Sequence, residues 1–117
     1  MSEINRIDSN QRMSRAVACN GFVFVGGQTA SDPTQDIKGQ TLQVLNKIDG
    51  FLEKVGLDKT RIISAQIWLT DIHADFAKMN EVWDAWVPQG HTPARATVES
   101  RLALPELLIE ITVVAAS

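Results

Sequence analysis

The chain has 117 residues, a formal net charge of −3 and a pI near 5.2, with 44% hydrophobic and 21% charged residues. That length suits one hydrophobic core and not two, so a single domain over residues 1–117 is expected. The acidic balance argues against a nucleic-acid-binding surface, which ordinarily carries a basic face. No apolar run approaches the roughly 20 residues of a membrane span, and the polar first ten residues have no signal-peptide core; a cytoplasmic location is the default.

Cys19 is the single cysteine, so no internal disulfide can form. It lies in an apolar run, where the preferred reading is a small buried hydrophobe rather than a nucleophile. His73 and His91 show no metal-ligand spacing, and no metal site is expected.

Glu3-Ile4-Asn5-Arg6-Ile7 alternates as a short edge strand, and residues 8–11 have turn chemistry. Residues 15–19 and 22–25 are apolar runs joined by Asn20-Gly21, the dipeptide that favours a tight type I′ hairpin. The second run enters Gly26-Gly27, which fits either a bulge or a plain strand exit. A polar loop covers residues 30–39. From about Gly39, Leu42, Leu45, Ile48 or Asp49, Leu52 and Val55 recur at helical steps, and Gly56 closes the helix. Residues 61–69 return to strand, with Ile63, Ala65, Ile67 and Leu69 on one face and Ser64, Gln66 and Trp68 on the other. Residues 71–75 start a second helix whose Phe76, Met79, Trp83 and Trp86 form a stripe read as core packing; it ends before Pro88.

Two strands close the chain, over residues 92–99 and 108–114. Alternation puts Ala96 and Val98 on one face of the first, and Arg95, Thr97 and Glu99 on the other. In the second, Ile109, Ile111 and Val113 face the core, leaving Glu110 and Thr112 opposite. A guanidinium or carboxylate within a half-buried strand is costly unless paired or used. Chemistry is therefore sought at Arg95, Thr97 and Glu110, expected on one face of one sheet.

The order is β-β-β-α-β-α-β-β, an α+β fold with two helices on one face of a mixed sheet. The other face is expected to carry Phe22, Phe24 and Trp68 with the polar set. Such a surface is best covered by other copies of the chain in a closed cyclic oligomer. That puts the polar set at a subunit interface, where small-molecule clefts are common.

Gly26-Gly27-Gln28, Asp75-Phe76-Ala77-Lys78-Met79-Asn80, the run from Pro93 to Glu99, Leu104-Pro105 and Ile109-Glu110-Ile111 together resemble the RidA/YjgF family of reactive intermediate/imine deaminases (YjgF/YER057c/UK114-type). The resemblance runs from about Arg12 to Ala116. It implies a chorismate mutase-like fold assembled as a homotrimeric barrel with helices outside and three clefts between subunits. It implies hydrolysis of 2-imino or 2-enamino acids, such as 2-aminoacrylate, to 2-keto acids and ammonia, without cofactor or metal. Arg95 would grip the substrate carboxylate and Glu110 would hold or activate water, with Gly27, Asn80 and Thr97 lining the cleft. The best-studied branch has cysteine at the position of Thr97 and tyrosine at that of Met13, so the segment Arg12-Met13-Ser14-Arg15 looks like a divergent branch.

A guanidinium fork matches both oxygens of a carboxylate, and a carboxylate beside water can act as general base and then proton donor. Thr97 lacks a thiol's nucleophilicity, which argues against covalent catalysis. The bland alternative makes Arg95 and Glu110 a salt bridge fixing the interface. Glu99 is read as structural, Asn80 as a helix cap or a cleft residue, and Arg15 and Arg101 as solvated. Two further functions compete: a non-catalytic module binding or sensing keto acids or small carboxylates in the same cleft, and, last, a ribonuclease or translation inhibitor.

Overall fold

Local turn chemistry sets the first half of the sheet. The computed structural model describes residues 3–117. Strands β2 (Ser14–Cys19) and β3 (Phe22–Gln28) pair antiparallel with Cys19 opposite Phe22. Asn20 and Gly21 both have positive φ, 54° and 77°, as a type I′ turn requires. Strand β1 (Ile4–Ser9) runs two residues further than expected and pairs with β2. The turn is displaced to Asn10, whose Oδ1 accepts the Arg12 and Met13 amides at 2.7 and 2.9 Å. The β3 ladder slips between Val25 and Gln28, and the Gln28 side chain donates back to the Gly26 carbonyl at 3.0 Å. The paired glycines thus mark an irregularity of bulge type rather than a plain exit.

Helix α1 (Ile37–Lys54) starts earlier than expected because Asp36 caps it, Oδ1 accepting from the Gly39 amide at 2.9 Å. At its end Gly56, at φ 75°, lets the Gly56 and Leu57 amides bond the Glu53 and Leu52 carbonyls, a Schellman closure. Its buried side runs through Ile37, Thr41, Val44, Leu45, Ile48 and Leu52; Leu42, expected in the stripe, is 51% exposed. Helix α2 (Ile72–Trp86) is capped by Asp71. Met79, Trp83 and Trp86 are buried as expected, but the stripe continues back through Asp75, which turns Phe76 outward at 41% exposure.

Strands β4 (Ile62–Leu69), β5 (Ala94–Glu99) and β6 (Ile109–Ala116) complete a mixed sheet in the order β1-β2-β3-β6-β4-β5, with only β4 and β5 parallel. A register slip between Ile62 and Ser64 sends Ile62 into the core and leaves Ile63 exposed, against the expectation from strict alternation. Both helices lie on one face, over Val23, Val25, Ala65, Ile67, Leu69, Ile111 and Val113. The molecule is 20 Å through its thinnest dimension, room for one sheet and one helix layer. The other face, with Phe22 and Phe24 (ring centroids 6.4 Å apart), Val98, Val114 and Trp68, is bare.

The expected facing of β5 is reversed. Arg95 pairs with Ala65 and Thr97 with Ile67, both core residues beneath the helices. Ala96 and Val98, expected in the core, lie on the bare face, Val98 44% exposed. Strand β6 faces as expected: Ile109, Ile111 and Val113 are buried, and Glu110 pairs with Trp68 on the bare side.

Candidate functional site

The geometry of the polar residues follows from that reversal. Strand β5 is the edge strand beside β4, and α2 lies against β4, so Arg95, on the helix-covered face, reaches the helix at Trp83. Its guanidinium carbon sits 5.2 Å from the ring centroid of Trp83, a cation–π contact that fixes the fork. Arg95 is half-buried and makes no ion pair among the described residues. Burial lowers its pKa and nearby Asp84 offsets this. Two residues on, the Thr97 hydroxyl is buried without a hydrogen-bond partner. A buried hydroxyl without a hydrogen-bond partner beside a half-buried cation without an ion pair is unfavourable, and an anion with hydrogen-bonding oxygens between them relieves both. Asn80 lies one turn before Trp83 in mid-helix and is half-buried. It is therefore not a cap. Glu99 is structural: its Oε1 accepts the Ile72 amide at 3.1 Å and so ties the start of α2 to the end of β5.

Glu110 occupies the opposite face. Burial there raises its carboxyl above the ordinary glutamate range. Its carboxylate packs directly on Gly27: a Cβ at that position would stand 3.0 Å from Glu110 Cδ and overlap Oε2. Only glycine lets the backbone approach so closely. Thr112, the next residue on the same face, is used structurally, donating to the Val25 carbonyl.

Arg95 and Thr97 thus lie on one face of the sheet, and Glu110, packed on Gly27, lies on the other. The expectation that Arg95, Thr97 and Glu110 share a face is wrong for a single chain. A salt bridge between Arg95 and Glu110 within one chain is likewise absent among the described residues. Two residues, Gln40 and Lys47, carry no motif in the sequence, and a third, Trp83, has a second role beyond the core stripe. Trp83 was read as core alone, although an aromatic under an arginine is a recognisable pairing. Gln40 is fully buried and clamps two loops: its amide donates to the Pro33, Gln35 and Glu106 carbonyls at 3.0–3.1 Å, and its Oε1 accepts from Leu108 at 2.9 Å. Lys47 donates to the Thr29 carbonyl at 2.7 Å beside the β3 irregularity. A buried glutamine at a core position of α1 is a signal that sequence does offer. No helix among the described residues is long and apolar enough to cross a membrane.

Comparison with known proteins agrees with this architecture. A family model described as Endoribonuclease L-PSP (Ribonuc_L-PSP) matches residues 3–117. A RutC family protein of Haemophilus ducreyi is 42% identical over 113 residues, covering 97% of this chain and 96% of its own. The RutC family protein YoaB of Escherichia coli K12 is also 42% identical, covering 97% of each chain. Among solved structures, NMB1025 of Neisseria meningitidis, a member of the YjgF protein family, superposes with a TM-score of 0.95 at 43% identity, covering 98% of this chain and 95% of its own. A protein from Salmonella typhimurium described as a putative translation initiation inhibitor gives 0.89 at 43% identity, covering 97% of each chain. With one family model spanning nearly every residue and relatives this similar along their full lengths, the chain belongs to the RutC/YjgF (Ribonuc_L-PSP) family, as the resemblance in its motifs implied.

Proposed function

We propose that the protein hydrolyses 2-imino and 2-enamino acids to 2-keto acids and ammonia, in clefts where the Arg95 half-site of one chain meets the Glu110 half-site of a neighbour in a homotrimer. The observation that carries this reading is the pair on β5, a half-buried guanidinium stacked on Trp83 without an ion pair, beside a buried hydroxyl without a hydrogen-bond partner. The bare apolar face supports association between copies, since Phe22, Phe24 and Val98 are each more than 40% exposed.

In this cleft the fork of Arg95 binds the substrate carboxylate in bidentate fashion, Thr97 and Asn80 hydrogen-bond it, and the imine carbon faces Glu110. Glu110, ionised, takes a proton from water as the oxygen attacks the carbon of the protonated imine. Glu110 then gives that proton to the amino nitrogen of the carbinolamine and recovers the hydroxyl proton as the C–N bond breaks, releasing the keto acid and ammonia before it loses this proton to solvent. An enamine substrate first takes a proton at its terminal carbon to become the imine. Water is the only co-reactant, and no step passes through a covalent enzyme intermediate. The endoribonuclease description of the family finds little support in a chain of net charge −3.

The test is to generate imino acids in situ with an amino-acid oxidase and follow loss of the imine against a semicarbazide trap. Arg95→Gln removes a charged, bidentate contact of about 1.5–3 kcal/mol, a loss of about 10- to 100-fold in kcat/KM. No acceleration by the wild-type protein over buffer overturns the reading. Keto-acid binding that Arg95→Gln abolishes, with no acceleration, replaces it with a carboxylate receptor.

A further inference from the structure

The cavity beside the β3 irregularity has no role in the reaction as described so far. It holds about 380 Å³, and its walls include Asp8, Arg15, Gly27, Thr29, Lys47 and Phe51. Lys47 is fixed by its 2.7 Å bond to the Thr29 carbonyl, and Arg15 reaches only the Met13 sulfur, at 3.7 Å. Neither makes an ion pair among the described residues. The carboxylate on the wall, Asp8, is already held by Lys54 at 2.7 Å. Burial and the nearby Arg15 charge both disfavour the ammonium form of Lys47. With Asp8 engaged by Lys54, the two neighbouring cations raise each other's energy, and an anion between them lowers it. Gly27 belongs both to this cavity and to the contact with the Glu110 carboxylate. It is past Gly27, common to the cavity and to the surroundings of the Glu110 carboxylate, that a substrate side chain would enter.

We infer that the cavity is the side-chain subsite, and that Arg15 and Lys47 make it selective for 2-imino acids bearing a second carboxylate, of four or five carbons. The first carboxylate goes to Arg95 of one chain and the second to Arg15 and Lys47 of its neighbour, with Phe51 against the intervening methylenes. This inference rests on the deaminase reading above.

Iminosuccinate and 2-iminoglutarate, made in situ by aspartate and glutamate oxidases, are compared with the neutral imines made from leucine and methionine. The acidic imines should have kcat/KM at least about tenfold above the neutral ones, the size of one charge-assisted contact. Arg15→Gln and Lys47→Gln should each lower the acidic-to-neutral ratio about tenfold, and the charge-keeping Arg15→Lys should preserve most of it. Neutral imines preferred, or a ratio that both glutamine variants leave unchanged, overturns the subsite and leaves deamination standing. No acceleration of either class overturns deamination and the subsite together.

Discussion

Gly27→Ala is a small substitution with a large expected effect. The added methyl would stand 3.0 Å from Glu110 Cδ and 3.3 Å from Cγ while overlapping Oε2. Non-bonded carbons prefer about 3.5–4.0 Å, so the carboxylate must swing away by about 1 Å. The backbone of Gly27 is not left-handed, unlike that of Gly21, Gly56 and Gly90, so alanine is not strained there. The moving group is the end of a long side chain, and alanine restricts the unfolded chain, so stability should change by less than about 1 kcal/mol. Misplacing a catalytic group by about 1 Å costs about 100-fold. That corresponds to about 2.7 kcal/mol of transition-state stabilisation. The imine-trapping assay should show kcat/KM down by that factor, with the melting temperature and oligomer size unchanged. A variant that keeps its size and melting temperature and retains kcat/KM within about threefold would refute the placing of Glu110 at the reacting carbon.

Four other expectations follow from three residues. Gln40→Leu keeps volume but strands three carbonyls and one amide, so denaturation at fixed protein concentration should show a loss of about 3 kcal/mol; a loss below about 1 kcal/mol would show that water replaces the clamp. Because burial raises the Glu110 carboxyl, the acid limb of kcat/KM should fall at a pH above the ordinary glutamate value, and Glu110→Gln should abolish that limb. The same shift means that the stability contributed by this group is present at low pH and lost as pH rises through the folded value, so Glu110→Gln should gain stability relative to wild type at neutral pH, read by thermal melts at pH 4 and 7. Trp83→Leu should raise KM more than it lowers kcat, with Trp83→Phe restoring most of the loss through its own ring face; equal KM in all three would show that the stack does not orient Arg95.

Much of the fold was legible because local chemistry and periodicity agreed. Asn20-Gly21 fixed the hairpin, Gly56 ended α1, and the alternation of Ile109, Ile111 and Val113 faced β6 correctly. The facing of β5 was misread because alternation distinguishes two faces without saying which one the helices cover. Ala96 and Val98 look like core residues, yet they lie on the face that the helices leave bare, while Arg95 stands against the ring of Trp83 on the helix side. Ile63 and Leu42 failed for a related reason, a ladder slip and a stripe offset that only tertiary packing decides. The candidate residues were legible through the motif resemblance; their division between two faces was not, since it depends on the register of strands distant in sequence.

That division is what a mixing experiment tests. Arg95→Gln and Glu110→Gln chains, each retaining about a tenth of wild-type activity or less alone, are co-refolded in equal amounts and assayed for imine hydrolysis. A cleft built from Arg95 of one chain and Glu110 of its neighbour is intact in about one quarter of the sites of randomly mixed trimers, so about a quarter of wild-type activity should return. Mixed trimers that stay as inactive as either parent would contradict a site shared between chains.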